Sequence, residues 1–216
     1  NLIANRKFDR YELKSFLGRD QFNTTYKAID VRQNKKVIVR VLQHHLIYDD
    51  NVVKQFRLQY DRLKYLAERY PGIQFLPNVN YGTVYINDEP RPFMVTDYIK
   101  GVSLSEILEI QRNLSVSDTL TIINQISKAI IAAHANRIWL RDLDPANLLL
   151  SLAEAGNVVV TLTKLGVPYS SLPTDEAKRL KQGYYAPEDK RNENVNEQTD
   201  VYALASLTFR LLEGYD

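Results

Sequence analysis

The sequence predicts an α+β fold, and three observations carry that expectation. Segments with the two-residue alternation or β-branched richness of strands, namely Tyr11 to Leu17, Thr24 to Ile29, Lys36 to Leu42, Asn78 to Asn87 and Arg91 to Ile99, all lie in the first half of the chain. Segments with the 3.6-residue period of amphipathic helices dominate the second half, after Leu104, Ser117 and Thr199, with one earlier at Val52 to Tyr70. The stretch WLRDLDPANLLL, Trp139 to Leu150, sets a polar island of Arg141, Asp142, Asp144 and Asn147 between apolar flanks, a pattern that buries both ends and presents the middle.

The 216 residues contain no Gly/Ser linker or low-complexity tract, so the chain can bury a sizeable core as one domain or two small lobes. Hydrophobic content of 44% and charged content of 25% are ordinary for a globular protein. A formal charge of +2 gives no argument for nucleic acid or an anionic membrane as partner. The chain has no cysteine, which excludes disulfides and thiolate metal sites and fits a cytoplasmic location. No apolar run reaches the roughly 20 residues of a membrane span. The first residue is Asn1, and the expectation is a piece of a longer polypeptide.

In chain order, the first two strands flank the break GRDQFN, which begins at Gly18 and contains Asp20, and the third is the run Val37-Ile38-Val39-Arg40. His44 and His45 have no cysteine or further histidine nearby and read as a solvated loop. Asp49, Asp50 or Asn51 caps the helix Val52 to Tyr70, whose Val52, Phe56, Tyr60, Leu63 and Leu66 share one face. Asp88-Glu89-Pro90 forms the turn of a second hairpin. Ser103 and Glu106 form a capping box for a helix over Leu104 to Gln111. The helix after Ser117 turns Leu120, Ile123, Ile126, Ile130 and Ala133 to a core, and His134 ends it in a packing role. Leu148 to Leu150 and Val158 to Leu162 pair as a short hairpin. Val167 to Tyr185 mixes prolines with charge, so Ser170, Ser171 and Thr174 are expected on an exposed, mobile segment. The helix Thr199 to Glu213 is apolar nearly all round, which calls for cover.

These residues also resemble a known pattern. Arg141-Asp142-Leu143 followed by Asn147 is similar to the catalytic loop of protein kinases, H-R-D-L-x-x-x-N, with Leu140 in place of the histidine. GRDQFN resembles the glycine-rich loop, keeping Gly18 but carrying Asp20 and Asn23 where two glycines stand. VIVR resembles the V-A-I-K strand, with Ile38 at the alanine that roofs the adenine pocket and Arg40 at the phosphate-pairing lysine. The glutamate that pairs with that lysine aligns with Gln59. PFMVTDYIKG resembles the passage between lobes, with Thr96 as gatekeeper and the backbones of Asp97 and Ile99 as adenine partners. Lys164-Leu165-Gly166 stands for Asp-Phe-Gly, Ala186-Pro187-Glu188 matches A-P-E, and Thr199-Asp200-Val201-Tyr202 resembles the start of the large helix whose aspartate supports the catalytic loop. Leu63, Leu140 and Leu165 keep the apolar character of the internal spine.

The resemblance implies a bilobal protein kinase-like fold of the bacterial Ser/Thr type, with a β-rich N-lobe over residues 1–98 and a helical C-lobe over 99–216 that stops after its central helix. It also implies a degenerate site. Asp142 and Asn147 remain, but Asp20, Ile38, Arg40, Gln59 and Lys164 depart from the pattern, and Asp144 replaces a common lysine. The expectation is therefore a pseudokinase, catalytically inactive, with no cofactor and no metal, acting as a protein-binding or regulatory module. Two alternatives stand beside it: an atypical or metal-independent ATP-dependent phosphotransferase, and a non-catalytic nucleotide sensor. A protein partner or a further C-terminal segment is expected over the apolar last helix, supplying the arginine that pairs with Glu188 in the family. Arg141 is a candidate dock for phosphate on Ser170, Ser171 or Thr174.

Overall fold

The computed structural model describes residues 7–75, 78–154, 156–180 and 183–214. The chain divides into two compact units, Asn1–Lys64 with Pro77–Tyr98 and Tyr65–Leu76 with Ile99–Asp216.

The first unit is built on a six-stranded antiparallel sheet in the order β1-β2-β3-β4-β6-β5. Its strands are β1 (Lys7–Phe8), β2 (Tyr11–Arg19), β3 (Asn23–Asp30), β4 (Lys35–Leu42), β5 (Asn78–Ile86) and β6 (Glu89–Asp97). Alternate residues of one face, among them Tyr11, Leu13, Ala28, Val37, Val39 and Val95, close a core around Phe8 and Phe93, whose rings meet edge to face at 5.8 Å. The other face turns Leu42 and Met94 toward α1 (Asp50–Arg69), where they pack with Val52, Phe56 and Tyr60. Each of those side chains contributes about 1.5–3 kcal/mol by leaving water. Asp49 caps the helix by accepting from the backbone N–H groups of Asn51 and Val52.

The second hairpin turns one step earlier than its sequence suggests. Asn87 and Asp88 take φ of 53° and 63°, the left-handed pair of a tight two-residue turn, while Glu89 and Pro90 already belong to β6. Asn and Asp tolerate that conformation better than other side chains do, which the eye drawn to proline overlooks. His44 Nε2 donates at 2.7 Å to Glu89, whose carboxyl is pulled down to about 2 by hydrogen bonds from Tyr48, Arg91 and His44.

The second unit holds, among the described residues, a three-stranded sheet, β7 (Val102–Ser103), β8 (Leu148–Leu152) and β9 (Val158–Leu162), and five further α-helices. Helix α2 (Leu104–Gln111) opens on the reciprocal capping box of Ser103 and Glu106. Helix α3 (Val116–His134) buries Thr119, Ile122, Ile126, Ala129, Ile130 and Ala133. Leu120, expected in the core, is 63% exposed. The expected Ile126, Ile130 and Ala133 do face the core, and the first turn differs because the buried stripe starts from Thr119, which a pattern read from apolar letters alone passes over. Short helices α4 (Asp175–Leu180) and α5 (Pro187–Lys190) precede α6 (Glu197–Glu213). On α6 the buried stripe is Thr199, Asp200, Ala203, Leu207 and Leu211, and Phe209 is left 68% exposed.

Candidate functional site

In the first unit, Asp20 closes the hairpin between β2 and β3. Its Oδ1 accepts from the backbone N–H of Phe22 at 2.9 Å and of Asn23 at 2.7 Å, and its own N–H donates to the Asn23 carbonyl at 2.9 Å. The turn is thus organised by a carboxylate where the resembling family uses glycines. Gly18 lies in β2, where an added Cβ would meet no heavy atom within 4 Å, so no close approach requires a glycine there.

Arg40 sits opposite Thr25 on one side and Met94 on the other, in the middle of the sheet. It is 8% exposed, and its Nη1 donates to Thr96 Oγ1 at 3.3 Å. Burial pushes the guanidinium pKa down, and the nearby charge of Asp20 pushes back. Among the described residues no carboxylate lies within ion-pair distance of it. Ile38 is half-buried opposite Thr96, Gln59 is half-buried on α1, and Asp97 is held by Lys35 at 2.8 Å. Ile99 belongs to the second unit, in the segment after β6.

In the second unit the polar island is pinned from several sides. Asp200, buried in the first turn of α6, accepts three hydrogen bonds: from the Leu140 N–H at 2.8 Å, from the Arg141 N–H at 2.5 Å and from His134 Nε2 at 2.7 Å. Those bonds offset a strained turn, since Arg141 has φ 63° and the Asp142 N–H donates back to the Leu140 carbonyl at 2.7 Å. The Gly166 N–H donates to the same carbonyl at 2.8 Å. A Cβ on Gly166 would come within 2.7 Å of both Asp142 N and Asp142 Cβ, so only glycine fits. Asp144 caps the 3-10 turn Pro145–Asn147 through the Ala146 N–H, a local role for the residue that replaces a lysine. Thr163 donates from both N–H and Oγ1 to the Asn147 carbonyl, which fixes Asn147 beside the strand leading to Lys164. Asp142 and Asn147 are both buried, and Lys164 is half-buried.

Arg141 is already engaged. Its Nη1 lies 3.2 Å from Asp189 Oδ1 and 3.3 Å from Oδ2, and Asp189 also accepts the Tyr169 N–H at 3.1 Å. Burial raises the Asp189 carboxyl above its ordinary value, and the Arg141 charge opposes that rise. Tyr185 donates to the Val167 carbonyl at 2.8 Å and meets Tyr169 edge to face. Its own hydroxyl is pushed well up by burial, with Asp142 and Asp189 adding to the rise. Asp189 and Tyr185 carry no mark in the sequence beyond flanking Ala186-Pro187-Glu188. Ser170 and Thr174 are exposed, but Ser171, expected with them on the surface, is 5% exposed at the end of the 3-10 turn Tyr169–Ser171. Glu188 accepts from Thr199 Oγ1 at 2.8 Å, a partner within the chain.

A folded sheet unit with a buried cation and a helical unit with a clamped Arg-Asp loop define the class. The protein kinase domain model matches residues 11–216, and the chain belongs to that family. It is 27% identical over 207 residues to the serine/threonine-protein kinase PknB of Mycobacterium leprae, covering 95% of this chain and 33% of the relative. It is 26% identical over 215 residues to the serine/threonine-protein kinase PrkC of Bacillus subtilis, covering 99% of this chain and 32% of the relative. The chain therefore spans about a third of the length of these curated relatives. The crystal structure of the Mycobacterium tuberculosis PknI kinase domain superposes with a TM-score of 0.73 at 21% identity, over 98% of this chain and 77% of that one, and shows the fold.

These findings correct two expectations. The inference of a catalytically inactive chain is overturned by relatives that are named serine/threonine-protein kinases and match nearly its whole length. The inference that no cofactor is used falls with it, because protein kinases draw the phosphoryl group from ATP with Mg²⁺. Both expectations rested on departures from the family's motifs at single positions. No helix among the described residues is long and apolar enough to cross a membrane.

Proposed function

We propose that this chain is the kinase unit of a larger protein and transfers the terminal phosphoryl group of ATP to serine or threonine hydroxyls, as a member with a diverged nucleotide site. The observation that supports this reading is the catalytic loop: Asp142 is buried, follows Arg141 at φ 63° in a turn whose Leu140 and Arg141 N–H groups Asp200 holds, and packs so closely on Gly166 that no Cβ fits there. Asp142 takes the proton of the substrate hydroxyl as that oxygen bonds to phosphorus. The bond from phosphorus to the bridging oxygen breaks, and ADP leaves with the electron pair. Arg40 supplies positive charge in the first unit: a guanidinium this buried, with one hydrogen bond to a neutral hydroxyl, gains most from an anion such as a nucleotide phosphate.

The donor set divides on the metal. The amide oxygen of Asn147 suits a hard divalent ion carried in with the phosphates, where it would neutralise developing charge. Position 164 does not suit one, because an ammonium repels it, and among the described residues no three of His, Cys, Asp and Glu gather as a metal site. Lys164 brings charge of the same sign instead. A cytoplasmic setting, where ATP is abundant, fits the absence of cysteine.

The reading requires a nucleotide site. Heating the protein with and without millimolar Mg-ATP should raise the melting temperature for the native chain and not for Arg40→Ala. An unchanged melting temperature in the native chain would contradict the proposal.

A further inference from the structure

The second unit contains a cavity of about 330 Å³ that none of the chemistry above uses. That volume is at the lower end of the range for small-molecule sites. Its apolar wall is formed by Ile126 of α3, Leu140, Leu148, and Val160 and Leu162 of β9, all buried, with Ile73 beside them. The wall is framed by fixed backbone. The Leu162 N–H donates to the Gln74 carbonyl at 2.9 Å, Phe75 bridges Leu162, and the Gln125 side chain spans Val158 O and Val160 N at 3.0 Å each.

Among the described residues Lys128 is the one ionisable side chain lining the cavity. The positions one helical turn away, Asn124, Gln125, Ile131 and Ala132, offer it no carboxylate, and among the described residues it has no ion pair. An apolar wall with a single cation at its edge selects an apolar body with one anionic tip. We infer that this cavity is a ligand site for a small aromatic or aliphatic carboxylate, with its hydrocarbon against Leu140, Leu148 and Val160 and its carboxylate at Lys128.

The site's position gives it a consequence. Leu140 and Leu148 bracket the loop that carries Asp142 and Asn147, so an occupant bears on both ends of it; control of transfer through this site rests on the phosphotransferase reading, while binding does not. Trp139, the only tryptophan, precedes Leu140 and packs on His134 at 5.2 Å, so its emission reports occupancy without any turnover.

The test is calorimetric titration of the intact chain with 4-tert-butylbenzoate and with its neutral amide, following Trp139 emission in parallel. Saturable one-to-one binding of the carboxylate is expected, weakened about fivefold by Lys128→Gln, the effect of one solvent-screened ion pair. The amide should bind the native chain about as weakly as the carboxylate binds that variant. Ala129→Leu should fill the cavity. Gly72→Phe places a ring at its rim, where an added Cβ meets no heavy atom within 4 Å, so loss of binding there cannot be ascribed to misfolding if the melting temperature holds. No saturable binding, or binding indifferent to both filling variants, would overturn the site. Binding indifferent to Lys128→Gln would overturn the anionic class.

Discussion

Asp200 and Asp189 are two buried aspartates with opposite demands. Asp200 is satisfied by three donors, two of them the backbone N–H groups of Leu140 and Arg141. Asp200→Ala should cost about 3 kcal/mol in urea unfolding, the scale of losing charge-assisted hydrogen bonds to buried donors. A loss under 1 kcal/mol would mean that water replaces the carboxylate there. Asp189 is different: burial raises its carboxyl, so the folded state binds its proton more tightly than the unfolded chain does. Its contribution to stability is then fully present below the ordinary aspartate value, about pH 4, and falls as pH rises through the raised folded value. The stability of the native chain minus that of Asp189→Asn should therefore decline as pH climbs from about 4, and a difference that grows with pH would show that the Arg141 pair outweighs burial.

Elements were legible where apolar letters define them and illegible where polar residues do the packing. The capping box at Ser103 and the helix Leu104–Gln111 follow from the sequence directly, as do the strands around Val37 to Val41. The buried stripes of α3 and α6 begin at Thr119, Thr199 and Asp200, which no hydrophobic pattern marks. The same holds for the site. Asp142 and Asn147 stand out as a motif, and the support of Asp200 was readable through the family resemblance, but the grip of Asp189 on Arg141 depends on a contact between residues 48 positions apart. At this scale the loop of Asp20 offers a test. Asp20→Ala removes the acceptor of the Phe22 and Asn23 N–H groups and frees them for a phosphate, so the KM for ATP should fall severalfold while stability drops by about 1 kcal/mol. A raised KM would mean that the carboxylate holds the loop in its working shape. Gly166→Ala should be far worse than an ordinary helix or loop substitution, because the contacts at 2.7 Å are to backbone and Cβ atoms of Asp142 that cannot swing aside.

The chain is a kinase-family unit about a third the length of its curated relatives, and α6 carries exposed apolar side chains. Phe209 and Val201 of α6 are exposed, and Phe209 lines a surface hollow with Tyr184 and Arg210. We propose that further polypeptide covers this face in the larger protein. The chain by itself should then associate at high concentration, and Phe209→Glu should shift it toward monomer in sedimentation; a native chain monomeric at millimolar concentration would argue against any cover. Incubation with ATP labelled in the γ-phosphoryl group and a serine- and threonine-containing protein substrate should yield labelled phosphoserine or phosphothreonine, with the yield reduced by at least about 100-fold in Asp142→Asn. Transfer that is undetectable in the native chain, or equal in the native chain and Asp142→Asn, would contradict the account.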